Sequence, residues 1–356
     1  MGKCTKLDFT GQSIYVGLDV HKKSWSVSIF SEQCEHRKFT QPPETGKLVQ
    51  YLKRNFPGAT YHAAYEAGFS GFWAHDQLQE QGVNCLVVHP ADVPTTNKER
   101  TTKRDRVDCR KLARHLRHGD LRGIYAPSRW QLEDRSLVRT RQSMIKKQTR
   151  CKNQIKALLY YYGLYLSAEV VTGSWSLKFI RWLESQRMER ASGDRVLQAH
   201  LEELRHLRQI LLSLNRAIVL LSREEAYRES VRRLKTVPGI STLTAMILLT
   251  ELGALSRFAT LDQLASYVGL IPDTKASGES ERIGGLTCRR NAPLRAVLIE
   301  AAWVAARKDP VLLLAFNEYT RRMKKTVAIV KIARKLLNRI RFVLKNQQDY
   351  VPAVVQ

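Results

Sequence analysis

The run Tyr15-Val16-Gly17-Leu18-Asp19-Val20-His21-Lys22-Lys23 sets a carboxylate inside an otherwise apolar segment, and Trp25-Ser26-Val27-Ser28-Ile29-Phe30 follows at once. The pair reads as a strand, a polar turn and a second strand in which Trp25, Val27 and Ile29 alternate with Ser26 and Ser28. A carboxylate in a strand fit for burial loses hydration, so Asp19 should be paired, hydrogen-bonded or holding a cation. An Asp that only ends a strand and opens a turn reads the same way from this stretch alone.

The pattern continues in the same style to Pro90. Thr45 to Phe56 has helical spacing (Leu48, Tyr51, Leu52) after the Pro42-Pro43 break, and Thr60 to Tyr65 is a short strand ending at Glu66. Phe72 to Gln81 is helical, and Val83 to His89 is another strand, closed by Pro90. Interleaving of this kind predicts an α/β layer with a mixed sheet, with Asp19 and Glu66 at or near its strands. Farther on, Val107, Cys109, Leu112, Ala113 and Leu116 predict a helix beginning near Asp105. Asp105 and Asp108 stand three apart and share one face of it. Like charges so placed are mildly unfavourable unless a cation sits between them, although the surrounding arginines could neutralise them on a solvated face.

Composition decides which partner such a chain meets. With 59 Lys and Arg against 33 Asp and Glu, its 356 residues carry a net charge of +26, a self-repulsion that a polyanion would relieve. Nucleic acid is the leading partner and an anionic membrane the competitor. No apolar run reaches membrane-spanning length, and Met1-Gly2-Lys3-Cys4-Thr5-Lys6 has neither an apolar signal core nor the hydroxyl residue that myristoylation requires, so a cytoplasmic location is expected. The six cysteines (Cys4, Cys34, Cys85, Cys109, Cys151 and Cys288) form no Cys-x-x-Cys pair, which points to reduced thiols rather than zinc or disulfides.

The rest of the chain reads as mostly helical. Between Arg129 and Lys156 nine residues are basic and two acidic, on a helical pattern in which Leu137, Met144, Cys151 and Leu158 repeat every seven with Arg141, Gln148 and Ile155 between them. Thr172-Gly173-Ser174 and Ala191-Ser192-Gly193 break the pattern. Leu197, His200, Leu204, Leu207, Leu211, Leu214, Ile218 and Leu221 then alternate spacings of three and four, which predicts an extended helix paired with another, within the chain or between subunits. Thr236-Val237-Pro238-Gly239-Ile240-Ser241-Thr242 resembles a helix-hairpin-helix turn able to take a phosphate, with plain helix packing as the alternative. Phe258 to Leu270 continues helical. Pro272 to Asn291 reads as a long Gly/Ser-rich basic loop, and loops of that length are commonly functional. A helix over Pro293 to Ala306 follows, then one over Lys324 to Lys345. Between Arg321 and Lys345 ten residues are basic and none acidic, while Val330, Ala333, Leu337, Ile340 and Leu344 make one apolar stripe.

Four carboxylates, two near strands and two on a helix, could hold a pair of Mg²⁺ ions about 4 Å apart for phosphodiester chemistry. The whole resembles the DEDD-type transposases of the insertion sequence 110 class. The resemblance rests on Val16-Gly17-Leu18-Asp19-Val20-His21-Lys22, Tyr65-Glu66-Ala67, Lys103-Arg104-Asp105-Arg106-Val107-Asp108 with Leu112-Ala113, Val237-Pro238-Gly239-Ile240, Ser277-Gly278-Glu279 with Arg282-Ile283-Gly284, and Leu294-Arg295 with Ala301-Ala302. It implies a RuvC-like (RNase H-like) α/β domain over 1–125, a helical, coiled-coil-type assembly region over 126–230, and a mostly helical transposase domain over 231–356. It further implies Asp19, Glu66, Asp105 and Asp108 as ligands of Mg²⁺ (or Mn²⁺), and Ser277 as a nucleophile that joins DNA through a phosphoserine. Nucleic-acid contacts are expected at Lys22, Lys103, Arg104, Arg106, Lys146, Lys147, Gly239, Arg282, Arg289, Arg290 and Arg295. Donor and target DNA, a structured non-coding guide RNA, and a homodimer or tetramer on DNA are the partners so implied, at the nucleoid of a bacterial or archaeal cell.

The family pattern has Lys-Arg-Gly-Asn after the serine, where this chain has Cys288-Arg289-Arg290-Asn291; the missing glycine alters the local turn. Ser280 shares the loop and is the second candidate hydroxyl. The alternative functions are a RuvC-like metal-dependent endonuclease or Holliday-junction resolvase in which water attacks, and a non-enzymatic nucleic-acid-binding protein whose carboxylates are structural.

Overall fold

The computed structural model describes residues 8–94, 105–164, 175–277 and 280–352, without the side chains of 105–107, 274–277 and 280–283. Two compact units divide the chain, Met1–Ala126 and Pro127–Gln356.

The first unit is built on a five-stranded mixed sheet of strands β1 (Ser13–Val20), β2 (Trp25–Phe30), β3 (Glu35–Gln41), β4 (Thr60–Glu66) and β5 (Val83–Val88), in the order β3-β2-β1-β4-β5. The four residues between β1 and β2 allow only a reversal, so β1, β2 and β3 form an antiparallel meander. Strands β4 and β5 lie parallel to β1, each reached after a helix, α1 (Thr45–Asn55) or α2 (Trp73–Glu80). The two-residue period sorts the faces. Ile14, Val16 and Leu18, with Ala63, Tyr65, Cys85 and Val87, pack with Leu48, Val49 and Leu52 of α1 and with Ala74 and Leu78 of α2. Ala64 and Val88, on the opposite face, pack with Leu112 of helix α3 (Asp105–Arg117).

The second unit begins with α4 (Arg129–Tyr161), α5 (Leu177–Ser185) and α6 (Ala191–Leu221). Helices α4 and α6 pair within the chain, antiparallel: Cys151, Ile155 and Leu159 meet Leu197, Leu201, Leu204 and Leu207, while Val138 at the other end shares a cluster with Ile218 and Leu221. Between the two clusters Arg141 Nε donates to Asn215 Oδ1 at 2.6 Å. The buried residues differ from the seven-residue repeat in the sequence. Cys151 and Ile155 are buried as the repeat has them, but Val138 and Leu159 are buried rather than Leu137 and Leu158, and Leu201 rather than His200. Short α5 supplies a third wall through Phe179, Ile180 and Leu183, so the apolar stripe follows a three-helix interior instead of a two-helix seam.

The remainder is a single helical core of α7 (Glu225–Leu234), α8 (Thr242–Leu252), α9 (Leu261–Val268), α10 (Ala292–Lys308), α11 (Pro310–Arg322) and α12 (Lys325–Asn346). Asn291 and Asp309 cap α10 and α11, accepting from the amides of Leu294 (3.2 Å) and Leu312 (2.9 Å). The interval read as a loop from Pro272 is instead a hairpin of β6 (Pro272–Ser277) and β7 (Ser280–Leu286). Its strands are polar and glycine-bearing, so hydrophobic alternation does not announce them; the signal is the two-residue Gly278-Glu279 connection. Among the described residues no helix is long and apolar enough to cross a membrane.

Candidate active site

Leu18 pairs with Tyr65 in the parallel β1–β4 register, and Asp19 and Glu66 are the next residue on each strand. By alternation both belong to the face of Gly17 and Ala64, which α3 covers. Gly17 makes that covering possible. A Cβ added there would lie 1.9 Å from the Cys109 carbonyl oxygen and 2.5 Å from the Ala113 nitrogen, so helix backbone rests directly on strand backbone. Asp108 precedes Cys109, and Asp105 stands one turn before it at the start of α3. The Asp105 side chain lies outside the described residues.

Asp19 keeps 19% of its side chain exposed and places Oδ2 3.1 Å from His21 Nε2. Its charge reaches α3: burial pushes the Cys109 thiol up, Lys38 opposes that, and the Asp19 carboxylate adds to it. Oxygen ligands at the ends of adjacent parallel strands and on the covering helix suit a hard divalent cation. Among the described residues no three His, Cys, Asp or Glu side chains converge enough to hold a metal. The loops after the two strand ends also meet. The Lys22 ammonium lies 5.8 Å from the Phe69 ring centroid, and Phe69 is 66% exposed. Phe69 and the space-making role of Gly17 were missed from sequence; the aromatic three residues after Glu66 was the available signal.

The hairpin forms a second centre. Ser277 and Ser280 are its last paired residues, and Lys275 opposes Arg282. The side chains of Ser277, Ser280 and Arg282 lie outside the described residues, as do Lys103 and Arg104 entirely and the Arg106 side chain. The exit from the hairpin is held tightly. Arg295 Nη1 donates to the carbonyls of Gly269 (3.2 Å) and Thr287 (3.0 Å), and Asn291 Nδ2 donates to Glu251 Oε2 (2.9 Å). Glu251 is fully buried and takes two hydrogen bonds from Arg139, at 2.6 and 2.7 Å. Burial alone would raise its carboxyl; the bonds from Arg139 and Asn291 outweigh that and hold it below the usual carboxylate range. Arg295 is thus engaged with backbone carbonyls, and Arg289 and Arg290 are the exposed cations of this segment. Gly239, at φ +89°, has its α-carbon against Ala301, where a Cβ would come within 2.4 Å of a carbonyl oxygen, so close packing already requires a glycine there. Lys146 and Lys147 are exposed on α4.

Two family models match these two centres separately. One, for the DEDD transposase of IS110, covers residues 16–163, with Asp19, Glu66, Asp105 and Asp108; the other, "Transposase IS116/IS110/IS902 family", covers 231–316, with the hairpin. Both models describe transposases of the IS110 group, which is what this chain is similar to along these two stretches. Relatives of this family align along much of its length. The transposase-like protein y4qE of Sinorhizobium fredii is 28% identical over 81% of this chain and 71% of its own. The transposase for insertion sequence element IS1533 of Leptospira borgpetersenii is 26% identical over 67% and 70%, and that for IS1111A of Coxiella burnetii is 27% identical over 62% and 59%.

Proposed function

We propose that this chain is a DNA transposase that cuts and rejoins DNA through the carboxylates Asp19, Glu66, Asp105 and Asp108 of a RuvC-like sheet and the hydroxyl of Ser277, with a structured non-coding RNA selecting donor and target sequences. The observation that carries the reading is the β1–β4 register, which ends two adjacent parallel strands in carboxylates on the face where Gly17 admits α3. The strand order β3-β2-β1-β4-β5, antiparallel on one side of β1 and parallel on the other, supports the RuvC-like assignment. Mg²⁺ or Mn²⁺ held by these residues would supply positive charge for phosphate oxygens as the phosphodiester changes partners.

Ser277 Oγ attacks the phosphorus: the Oγ–P bond forms, the bond from phosphorus to the leaving sugar oxygen breaks, the hydroxyl proton goes to a nearby base and the sugar oxygen takes one up. The phosphoserine keeps the ester bond energy, so attack by another sugar hydroxyl reseals a strand without hydrolysis. Lys22, Lys103, Arg104, Arg106, Lys146, Lys147, Arg282, Arg289 and Arg290 would take phosphates, while Arg295 and Gly239 shape the backbone around them. Because α4 and α6 close their apolar faces on each other, assembly would use the outer face of α6, where Leu212 and Leu220 are exposed.

The test incubates the protein, the flanking non-coding RNA of its element and a labelled junction DNA with Mg²⁺. A covalent protein–DNA adduct that is lost in both Ser277→Ala and Asp19→Ala supports the reading. Cleavage that survives Ser277→Ala but not Asp19→Ala sinks it in favour of a water-using endonuclease.

A further inference from the structure

At the foot of the β6–β7 hairpin a groove of about 770 Å³ opens between the hairpin and α12. One wall is apolar and partly bare of side chains. Leu261, Leu270, Pro272 and Leu286 line it beside Gly284 and Gly285, and a Cβ built on Gly285 would meet nothing within 4 Å. The other wall is a single stripe of α12, formed by Val327, Val330, Lys331, Arg334, Lys335 and Asn338 at spacings of three and four. Tyr319 of α11 joins it with the Lys331 ammonium 5.2 Å from its ring centroid. Asp262 pairs with Arg334, while Lys335 is exposed and has no ion-pair partner among the described residues.

Apolar walls beside a row of cations with one carboxamide match one kind of ligand: a flat apolar ring with polar edges that carries a phosphate. We propose that this groove takes an unpaired nucleotide of the DNA strand that Ser277 attacks. The proposal rests on the serine-recombinase reading, which is what selects DNA as the occupant. The base enters between Val330 and the glycine-lined hairpin, Asn338 faces its polar edge, and Lys331 and Lys335 take the flanking phosphates. From Pro272 to Ser277 the strand rises about 17 Å, so a strand anchored at the groove has a short, fixed path to the hairpin tip. A base inside duplex DNA is stacked and cannot enter such a groove, so the site discriminates for unpaired DNA.

The measurement is equilibrium binding of the full chain, in a Ser277→Ala background that cannot attack, to oligodeoxynucleotides carrying 2-aminopurine. Single-stranded and fully paired forms are compared. The expected result is a rise in 2-aminopurine emission on the single strand only, as the base leaves its stacked neighbours for the aliphatic groove. Val330→Trp, which fills the groove, and Lys335→Glu, which reverses a surface charge, each weaken single-strand binding by about tenfold and change duplex binding by less than about twofold. Lys335→Glu alters only an exposed side chain, so the test stands even if Val330→Trp misfolds. Equal loss on single strand and duplex, no loss on either, or a larger Val330→Trp loss on an oligoribonucleotide than on DNA overturns the proposal. A missing Ser277 adduct beside intact groove binding would defeat the serine reading alone; an intact adduct beside groove-independent binding would defeat this one alone.

Discussion

The carboxylate centre and the hairpin centre are positioned by different physical means. At the first, backbone does the placing: strand register sets Asp19 beside Glu66, and the absence of a side chain at Gly17 lets α3 rest on the sheet. At the second, side chains do it: a fully buried Glu251 joins Arg139 of α4 to Asn291 at the end of the hairpin segment, and Arg295 grips two carbonyls on either side. A centre placed by register tolerates little movement, and its placement rests on backbone pairing rather than on a buried ion pair. One set by a buried ion pair depends on protonation, and its parts are far apart in sequence.

The comparison breaks most completely at Gly17. Gly17→Val forces a side chain into helix backbone and should cost about 3 kcal/mol or more, abolishing cleavage; urea unfolding followed by hydrogen exchange should localise the loss to residues 8–126. Arg139→Ala leaves the Glu251 carboxylate buried without its main partner and should cost about 3 kcal/mol, with faster exchange in α8, α10 and the segment 287–291 but not in the sheet. The two losses falling in the same unit would show the contrast to be false.

Acid should separate the centres more finely. The folded carboxyl of Glu251 titrates below its ordinary value, so the stability it confers is complete above the unfolded value near 4.3 and is lost as pH falls through the lower folded value. Glu251→Gln should flatten the pH dependence of unfolding of residues 127–356 in that window and leave residues 8–126 unchanged, as read by tryptophan fluorescence with Trp25 and Trp73 in one unit and the other four tryptophans in the second. The smallest effect belongs to the exposed pair beside Asp19. Lys22→Ala should leave the melting temperature in place and weaken DNA binding by about 0.5–1 kcal/mol, measured by titration at fixed salt.

This difference also explains what the sequence discloses. Asp19 in an apolar strand, Glu66 at the end of another and the Asp105/Asp108 spacing are local patterns, and the α/β sheet and the two long helices follow from periodicity alone. Glu251 looks like any acid in a helix until Arg139, more than a hundred residues earlier, is folded against it. Arg295 reads as one more cation for phosphate until its two carbonyl partners are in place. The β6–β7 hairpin escaped because its strands carry Thr, Lys, Ser and Gly rather than an apolar alternation, and the shifted seam of α4 and α6 because a third helix widens the interior.

Helix α4 has 33 residues, and α6, antiparallel to it, has 31. At 1.5 Å per residue the pair forms a rod of about 50 Å, the length of about fifteen base-pair steps of duplex at 3.4 Å each. With its facing apolar stripes packed within one chain, the rod is stiff before any partner arrives. Whatever it spans is held at a distance fixed by the protein, a ruler cut by the number of helical turns.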